Sequence, residues 1–277
     1  MSYKRILGWV LAALAAAPFL ACGGDETPPA AAADSGLVAV YGDSRTGHEV
    51  HERVIAAIDA RKPALVFHTG DLVADGHSMT DWNTFNRITA PLRAHTPFYP
   101  ALGNHEDESP LYFANFDLPG NEQWYAVRRF GAHLIILDTN VPFGPGSSQY
   151  QWLADELAAN EDRYLLVLFH NPPFSLTREE ETTLRVREYL VPLFEAHGVN
   201  AVFCGHDHNY ERFLVNGITY VITGGGGAPL YGRTRNDPRN KKFARVNHYC
   251  MLDITPDHLQ LDVYDLDGHS VDSYKIK

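Results

Sequence analysis

Residues 37–71, LVAVYGDSRTGHEVHERVIAAIDARKPALVFHTGD, decide the fold class. Leu37 to Tyr41 is an apolar run of strand length, closed by Gly42 and Asp43. From His48 to Ala60, Val54, Ile55 and Ile58 recur at the spacing of one helix face. Ala64 to Thr69 is a second apolar strand, and Gly70 and Asp71 close it in the same way. Strand, helix, strand, with polar residues just beyond each strand, is the grammar of a βαβ unit.

The alternation extends outward from this stretch. A helix is expected over Asp81 to Ala94, a short strand over Phe98 to Ala101, an edge strand over Glu122 to Val127 and another strand over His133 to Asp138. Ser148 to Asn160 reads as a helix, Tyr164 to Phe169 as a strand, Glu180 to His197 as one long helix and Val199 to Cys204 as a strand. The character then changes. Phe213 to Val215 and Ile218 to Thr223 flank Asn216 and Gly217, a strong hairpin signal. Three further strands follow at Tyr249 to Ile254, Leu259 to Tyr264 and Ser270 to Ile276. This order implies a mixed α/β fold: two mixed sheets packed face to face with helices outside, an αββα sandwich.

With 277 residues, 45% of them hydrophobic, the chain can bury a substantial core in one large domain, expected at 37–277. A formal net charge of -11 argues against a nucleic-acid platform, which needs basic residues to displace counterions from phosphates. Were the substrate an anion, positive charge would have to be supplied locally, as bound metal ions can do. No feature specifies a partner chain, and a monomer is expected.

The first residues carry an address. Lys4 and Arg5 precede an apolar run, Ile6 to Ala21, with the layout of a secretory signal peptide over residues 1–21. Cys22, after Phe19, Leu20 and Ala21 and before Gly23 and Gly24, resembles the lipidated cysteine of a bacterial lipoprotein, although Phe19 and Leu20 depart from the usual lipobox. Cleavage by the general signal peptidase is the alternative. A spanning helix fits less well, since the run is shorter than the ~20 residues a bilayer requires and contains Pro18. Residues 22–36 are expected to be the lipidated cysteine and a flexible tether, Asp25 to Gly36 being rich in Pro, Ala and acidic side chains. The expected location is outside the cytoplasm, anchored to a membrane and facing the periplasm or the cell surface. Cys204 and Cys250 are too few for a disulfide framework and read as two buried thiols, with a single bond allowed in an oxidising compartment.

Five polar clusters stand where strands run out: Gly42-Asp43, Gly70-Asp71, Gly103-Asn104-His105, His170-Asn171 and Gly205-His206-Asp207-His208. In open α/β sheets ligands bind beyond the carboxyl ends of strands, so the fold gathers such residues from distant parts of the chain. Two carboxylates, one amide oxygen and three imidazoles suit a pair of divalent or trivalent ions such as Fe, Mn or Zn, provided one carboxylate bridges.

The motifs GDSR at Asp43, GDL at Asp71, GNHE at Asn104, FHNPP at His170 and GHDHNYER from Gly205 to Arg212 are highly specific together. Through them the sequence resembles the calcineurin-like metallophosphoesterase family, especially its purple-acid-phosphatase-like branch, over most of the chain after the leader. The resemblance implies that Asp43, Asp71 and His208 hold one ion and Asp71, Asn104, His170 and His206 the other, with Asp71 as the bridge. His105 matches the family histidine that assists the leaving group, and the chemistry implied is in-line attack on phosphorus by a hydroxide held at the ion pair. The expected substrate is a phosphomonoester or phosphodiester.

Two positions depart from the family pattern. Arg45 stands where many members have a histidine, and an arginine cannot ligate. Ala74 stands where purple acid phosphatases have a tyrosine, so an iron-tyrosinate centre is not supported. His48 and His51 are candidates to fill the gap or meet substrate, and Arg45 either clamps phosphate or braces its loop by a salt bridge. The missing ligand motivates a second reading, a cell-surface binding module that keeps the fold without turnover. His68 is expected as a buried partner, Asp75 and His77 at the rim, Asp207 pointing away from the ions, and Thr223 to Tyr231 as a close-packed loop beside the site. The stretch from Tyr231 to Arg245 is expected to shape access.

Overall fold

A computed structural model describes residues 35–277; the expected leader, Cys22 and almost all of the tether lie outside the described residues. The first sheet is entered by β1 (Gly36–Tyr41), α1 (His48–Ala60), β2 (Leu65–His68), α2 (Met79–Arg93) and β3 (Phe98–Pro100). Their strands run parallel side by side, as the βαβ reading requires. The chain passes through α3 (Pro110–Asn115) into β4 (Tyr125–Arg129) and β5 (Ala132–Ile136), then α4 (Ser148–Ala158) and β6 (Tyr164–Leu168). Next come α5 (Glu181–Tyr189), α6 (Val191–Ala196), β7 (Ala201–Cys204), β8 (Tyr210–Val215), β9 (Ile218–Thr223) and β10 (Asn240–Ala244). Finally β11 (His248–Ile254), β12 (Leu259–Asp265) and β13 (Ser270–Lys275) return to the first sheet, where β11 pairs antiparallel with β1.

The orders are β13-β12-β11-β1-β2-β3 and β10-β8-β9-β7-β6-β5-β4, so both sheets are mixed. Side-chain alternation explains the layers. On β6, Leu166 and Leu168 belong to the core that the second sheet shares with the first, while Leu165 and Val167 pack in a separate cluster with Leu153 of α4, Val186 of α5 and Phe194 of α6. One sheet thus feeds two cores by strand periodicity alone. Helices α1 and α2 cover the outer face of the first sheet through Val54, Ile58, Trp82 and Phe85. The sheets meet where the Cys250 thiol on β11 donates to Thr223 Oγ1 on β9 at 3.4 Å. Cys204 and Cys250 are both free and buried, and burial pushes the Cys250 thiol up to about 12.

Three local readings change. The single helix over Glu180 to His197 is two, α5 and α6, because Pro192 lacks the N–H that would bond back to Glu188. The expected edge strand begins at Tyr125 rather than Glu122, whose φ of 66° is left-handed. The hairpin strand starts at Tyr210, so the GHDHNYER motif runs straight into β8; Asn216 and Gly217, at φ 49° and 84°, make the expected turn. Among the described residues no helix is long and apolar enough to cross a membrane.

On β8, Glu211 is fully buried and accepts hydrogen bonds from Leu176 N at 2.7 Å and Thr177 Oγ1 at 3.2 Å, anchoring the segment that follows β6. Burial pushes its carboxyl up to about 7 from an ordinary 4.5. A raised carboxyl pKa favours the native state below the unfolded value, and that contribution is lost as pH rises through the folded one. In urea titrations, the stability of wild type minus that of Glu211→Gln should therefore fall between about pH 4.5 and 7, by up to about 3 kcal/mol. A difference that is flat with pH would show that Glu211 titrates normally.

Candidate metal centre

Each expected donor stands just past a strand, and the strands bring all six together at one end of the sandwich. Asp43, Asp71 and Asn104 follow β1, β2 and β3 of the first sheet; His170, His206 and His208 follow β6 and β7 of the second. The candidate ligands make the turns themselves: Asp43, Asp71 and His206 have φ of 57°, 58° and 70°. Aspartate tolerates this left-handed conformation better than most residues, yet its use at two donors marks a position fixed by its surroundings. Gly70, at φ 94°, does turn the chain, whereas Gly103 and Gly205 serve close approach. A Cβ on Gly205 would stand 2.5 Å from Asp43 Oδ2, and one on Gly103 would overlap Asp71 N.

The donors form two adjoining groups. His208 Nε2 lies 3.5 Å from Asp43 Oδ1, and ligating atoms of Asp43, Asp71 and His208 lie within 4.8 Å of one another. Beside them His170 Nε2 lies 3.3 Å from Asp71 Oδ1, 3.1 Å from Asn104 Oδ1 and 3.3 Å from His206 Nδ1. Donors sharing one ion at about 2.1 Å sit roughly 3 Å apart, so the second group has the spacing of a ligand set. The far side of each ring supports this. His170 Nδ1 lies 2.9 Å from Thr69 O, His208 Nδ1 2.8 Å from Pro229 O and His206 Nε2 3.0 Å from Glu180 Oε2. A ligating histidine normally donates its other N–H to a carbonyl or carboxylate, which fixes the nitrogen offered to the ion.

Electrostatics favour ligation. Burial alone would raise the Asp71 carboxyl, but His170, His105 and Arg45 hold it below its ordinary value. Burial, with His170 adding, pushes His206 down to about 2, so its ring is neutral. Burial would lower His170 as well, yet Asp71 and Asp43 hold it above its usual value.

The remaining expectations are placed as follows. Arg45 Nε donates to Asp71 Oδ2 at 3.2 Å, and its Nη2 lies 3.4 Å from His208 Nε2. His105 Nδ1 lies 2.7 Å from Ala74 O, leaving Nε2 3.9 Å from Asp71 Oδ2. His51 is drawn into the core instead: it is 1% exposed, packs against Phe85 and lies 3.1 Å from the Tyr41 hydroxyl. His48 is exposed at the start of α1 and bonds to none of the six donors. Neither histidine supplies the donor missing at position 45; the helix-face pattern that pointed His51 inward pointed it at the core. His68 is buried, 3.1 Å from Ser44 Oγ, and His77 bridges to Asp107 on the exposed rim. Asp207 turns away to Ser175 and Arg178, and the Gly224 to Gly227 segment packs closely against Asp43, Gly42 and His248.

Several residues here carried no signal of their own. Glu106 is fully buried and accepts from Gly103 N, Asp71 N, Leu72 N and Val73 N at 2.7, 2.9, 2.8 and 3.3 Å, tying the loops after β2 and β3 together. It ends the GNHE motif, so its position was visible though its task was not. Arg178 holds Asp207 and His206 O, and Glu180 meets the His206 ring. Tyr231 stacks on His208 with centroids 4.1 Å apart, and a cavity of about 700 Å3 opens beside Asn104 and His206, lined by Phe143, Asn171 and Arg185 among others.

An αββα sandwich whose strand ends converge on carboxylate, amide and imidazole donors defines a candidate dinuclear centre. The model of the calcineurin-like phosphoesterase family matches residues 36–210, and the chain belongs to that family. Purple acid phosphatase 18 of Arabidopsis thaliana is 31% identical in an alignment of 216 residues that covers 69% of this chain and 48% of that protein. The chain spans less than half the length of the purple acid phosphatases it matches. Purple acid phosphatase PPD1 from yellow lupin (Lupinus luteus) seeds shares the fold with a TM-score of 0.77 at 19% identity, over 88% of this chain and 54% of that one. GAP50, described as the anchor in the inner membrane complex of Plasmodium, does so with a TM-score of 0.74 at 15% identity, over 87% and 88%.

Glu106→Gln replaces one acceptor oxygen with an amide that faces backbone N–H groups. Urea unfolding should show a loss of about 1–3 kcal/mol, the cost of stranding buried donors. Unchanged stability would mean that the Glu106 carboxylate does not brace these loops.

Proposed function

We propose that this chain is a phosphate-ester hydrolase that works with two metal ions, Fe, Mn or Zn, on phosphomonoesters or phosphodiesters outside the cytoplasm. The observation that carries the reading is the convergence of six donors from both sheets, three of them rings whose second nitrogen is fixed by an acceptor. One ion belongs to Asp43, Asp71 and His208, the other to Asp71, Asn104, His170 and His206, with Asp71 shared. Ions there would supply positive charge opposite the phosphoryl oxygens and acidify the attacking water.

The chain's own residues do the rest. The Ala74 carbonyl fixes His105 by its Nδ1, so a protonated ring presents its Nε2–H to the leaving oxygen. Arg45 offers a planar fork to the phosphoryl oxygens. The cavity beside Asn104 and His206 gives the alcohol portion room, with Phe143 supplying an apolar wall and both arginines and carboxylates, Arg185 and Glu108 among them, in its lining. Export on a lipid anchor is part of the proposal, supported by Lys4, Arg5, the apolar run and Cys22. Arg45 standing against Asp71 and His208 favours one competing reading, a binding module without turnover.

The deciding assay is hydrolysis of aryl phosphate and bis-aryl phosphate by metal-stripped protein reloaded with Mn, Zn or Fe. Metal-dependent turnover is expected, and Asp71→Asn should lower it by at least about 10²-fold, since both ions lose their shared carboxylate. A folded protein that binds fewer than two ions and turns over neither substrate would support the binding module. His105→Asn should slow an alkyl phosphate by about 10²-fold or more and an aryl phosphate much less, because a phenolate needs no proton to depart. Equal losses on both substrates would remove His105 from the proton-donor role.

A further inference from the structure

We propose that Arg45 makes the two ion sites unequal and couples the weaker one to a phosphate group: its guanidinium rests on Asp71 and His208, so the Asp43, Asp71 and His208 site takes its ion readily only when phosphate has drawn Arg45 away. This rests on the reading of the six strand-end side chains as ion ligands.

The two oxygens of Asp71 are divided. Oδ1 faces His170 Nε2 at 3.3 Å, on the side of Asn104 and His206, while Oδ2 accepts from Arg45 Nε at 3.2 Å. Arg45 Nη2 lies 3.4 Å from His208 Nε2, the ring atom left for an ion once Nδ1 is turned to Pro229 O. Two of the three donors of one site therefore meet the same permanent cation, which competes for their lone pairs and repels a second cation. At the other site Arg45 meets only Asp71, through the oxygen turned away from His170. Arg178, which also lies beside that site, bonds to His206 O and the Asp207 carboxylate, not to a ligating atom.

The guanidinium is also free to leave. The backbone at Arg45 is held, its N–H donating to Asp71 O at 3.3 Å and its carbonyl accepting from Gly47 N at 2.9 Å. The side chain, 17% exposed, is not enclosed. A swing of the side chain alone takes the fork from one carboxylate oxygen to two phosphate oxygens, a geometry it fits bidentately. By linkage, whatever factor phosphate adds to ion affinity, the ion adds to phosphate affinity. Empty of substrate, the protein then holds one ion firmly; a phosphoryl group or released phosphate completes the pair.

The test is calorimetric titration of Mn2+ into metal-stripped protein, with and without inorganic phosphate, for wild type and Arg45→Ala. Wild type should bind one ion tightly and a second at least about tenfold more weakly, and phosphate should tighten the second by about tenfold or more. Arg45→Ala should bind both with similar affinity, and phosphate should matter little. Arg45→Met, which keeps the length of the stem without its charge, should behave the same way and guards against a packing defect. A non-hydrolysable aryl phosphonate effective where inorganic phosphate is not would assign the coupling to substrate rather than product. Two equally tight ions in phosphate-free wild type, or a phosphate effect that survives in both variants, would overturn the inference. No ion bound by any of the three proteins would sink the ligand assignment itself and this inference with it.

Discussion

The Glu106 carboxylate, sealed from solvent and saturated with backbone N–H groups, is the constraint on which the strand ends depend. Burying a carboxylate costs several kcal/mol, and pressing it close to Asp71 adds to that, which is why its carboxyl is pushed up to about 7. Four amide donors offset the cost, since bonds to a charged acceptor contribute roughly 1.5–3 kcal/mol each. The result is a rigid link between the loop that carries Asp71 and the loop that carries Asn104. Asp71 can then hold a left-handed backbone, receive the amide of His105 at 3.1 Å and turn its two oxygens in different directions.

The same economy governs the histidines. His206 and His208 are neighbours on one short segment, yet they offer different ring nitrogens, Nδ1 and Nε2, because their other nitrogens are taken by Glu180 and by the Pro229 carbonyl. The glycine-rich run after β9 matters here for shape, bringing a carbonyl and the Tyr231 ring against His208. Asp207, between the two, binds Arg178 and so fixes the segment from behind.

Much of this could be read from the sequence, for a physical reason. Strands of a mixed sheet buried on both faces are continuous apolar runs, so the polar residues that end them stand out, and the fold gathers those residues at one end of the sandwich. What escaped was set by tertiary contact or by chemistry too local for a pattern. The polar edge strand β10, with Lys241 and Lys242, has no apolar alternation to show. The short helix α3 rests on a Ser109 cap and Pro110 rather than on periodicity. Pro192 divided a stretch that reads as one helix by its spacing. At the site, Glu106, Arg178 and Glu180 act on backbone groups or ring edges, which no spacing encodes, and His51 lay on a helix face whose partner, Tyr41, only the folded sheet reveals.

The donors divide evenly between the two sheets, Asp43, Asp71 and Asn104 from one and His170, His206 and His208 from the other. Elsewhere the sheets are held together mainly by apolar packing, with a few polar links such as Arg212 on β8 to Asp272 on β13 and the Tyr125 hydroxyl on β4 to Pro100 O on β3. An ion gripped from both sides would be a cross-link between them, a clasp at the mouth of the sandwich. Its binding energy would then be part of the folding energy, growing with the logarithm of free ion concentration. A chelator would act on such a protein as a mild denaturant, parting the layers first where the chemistry takes place.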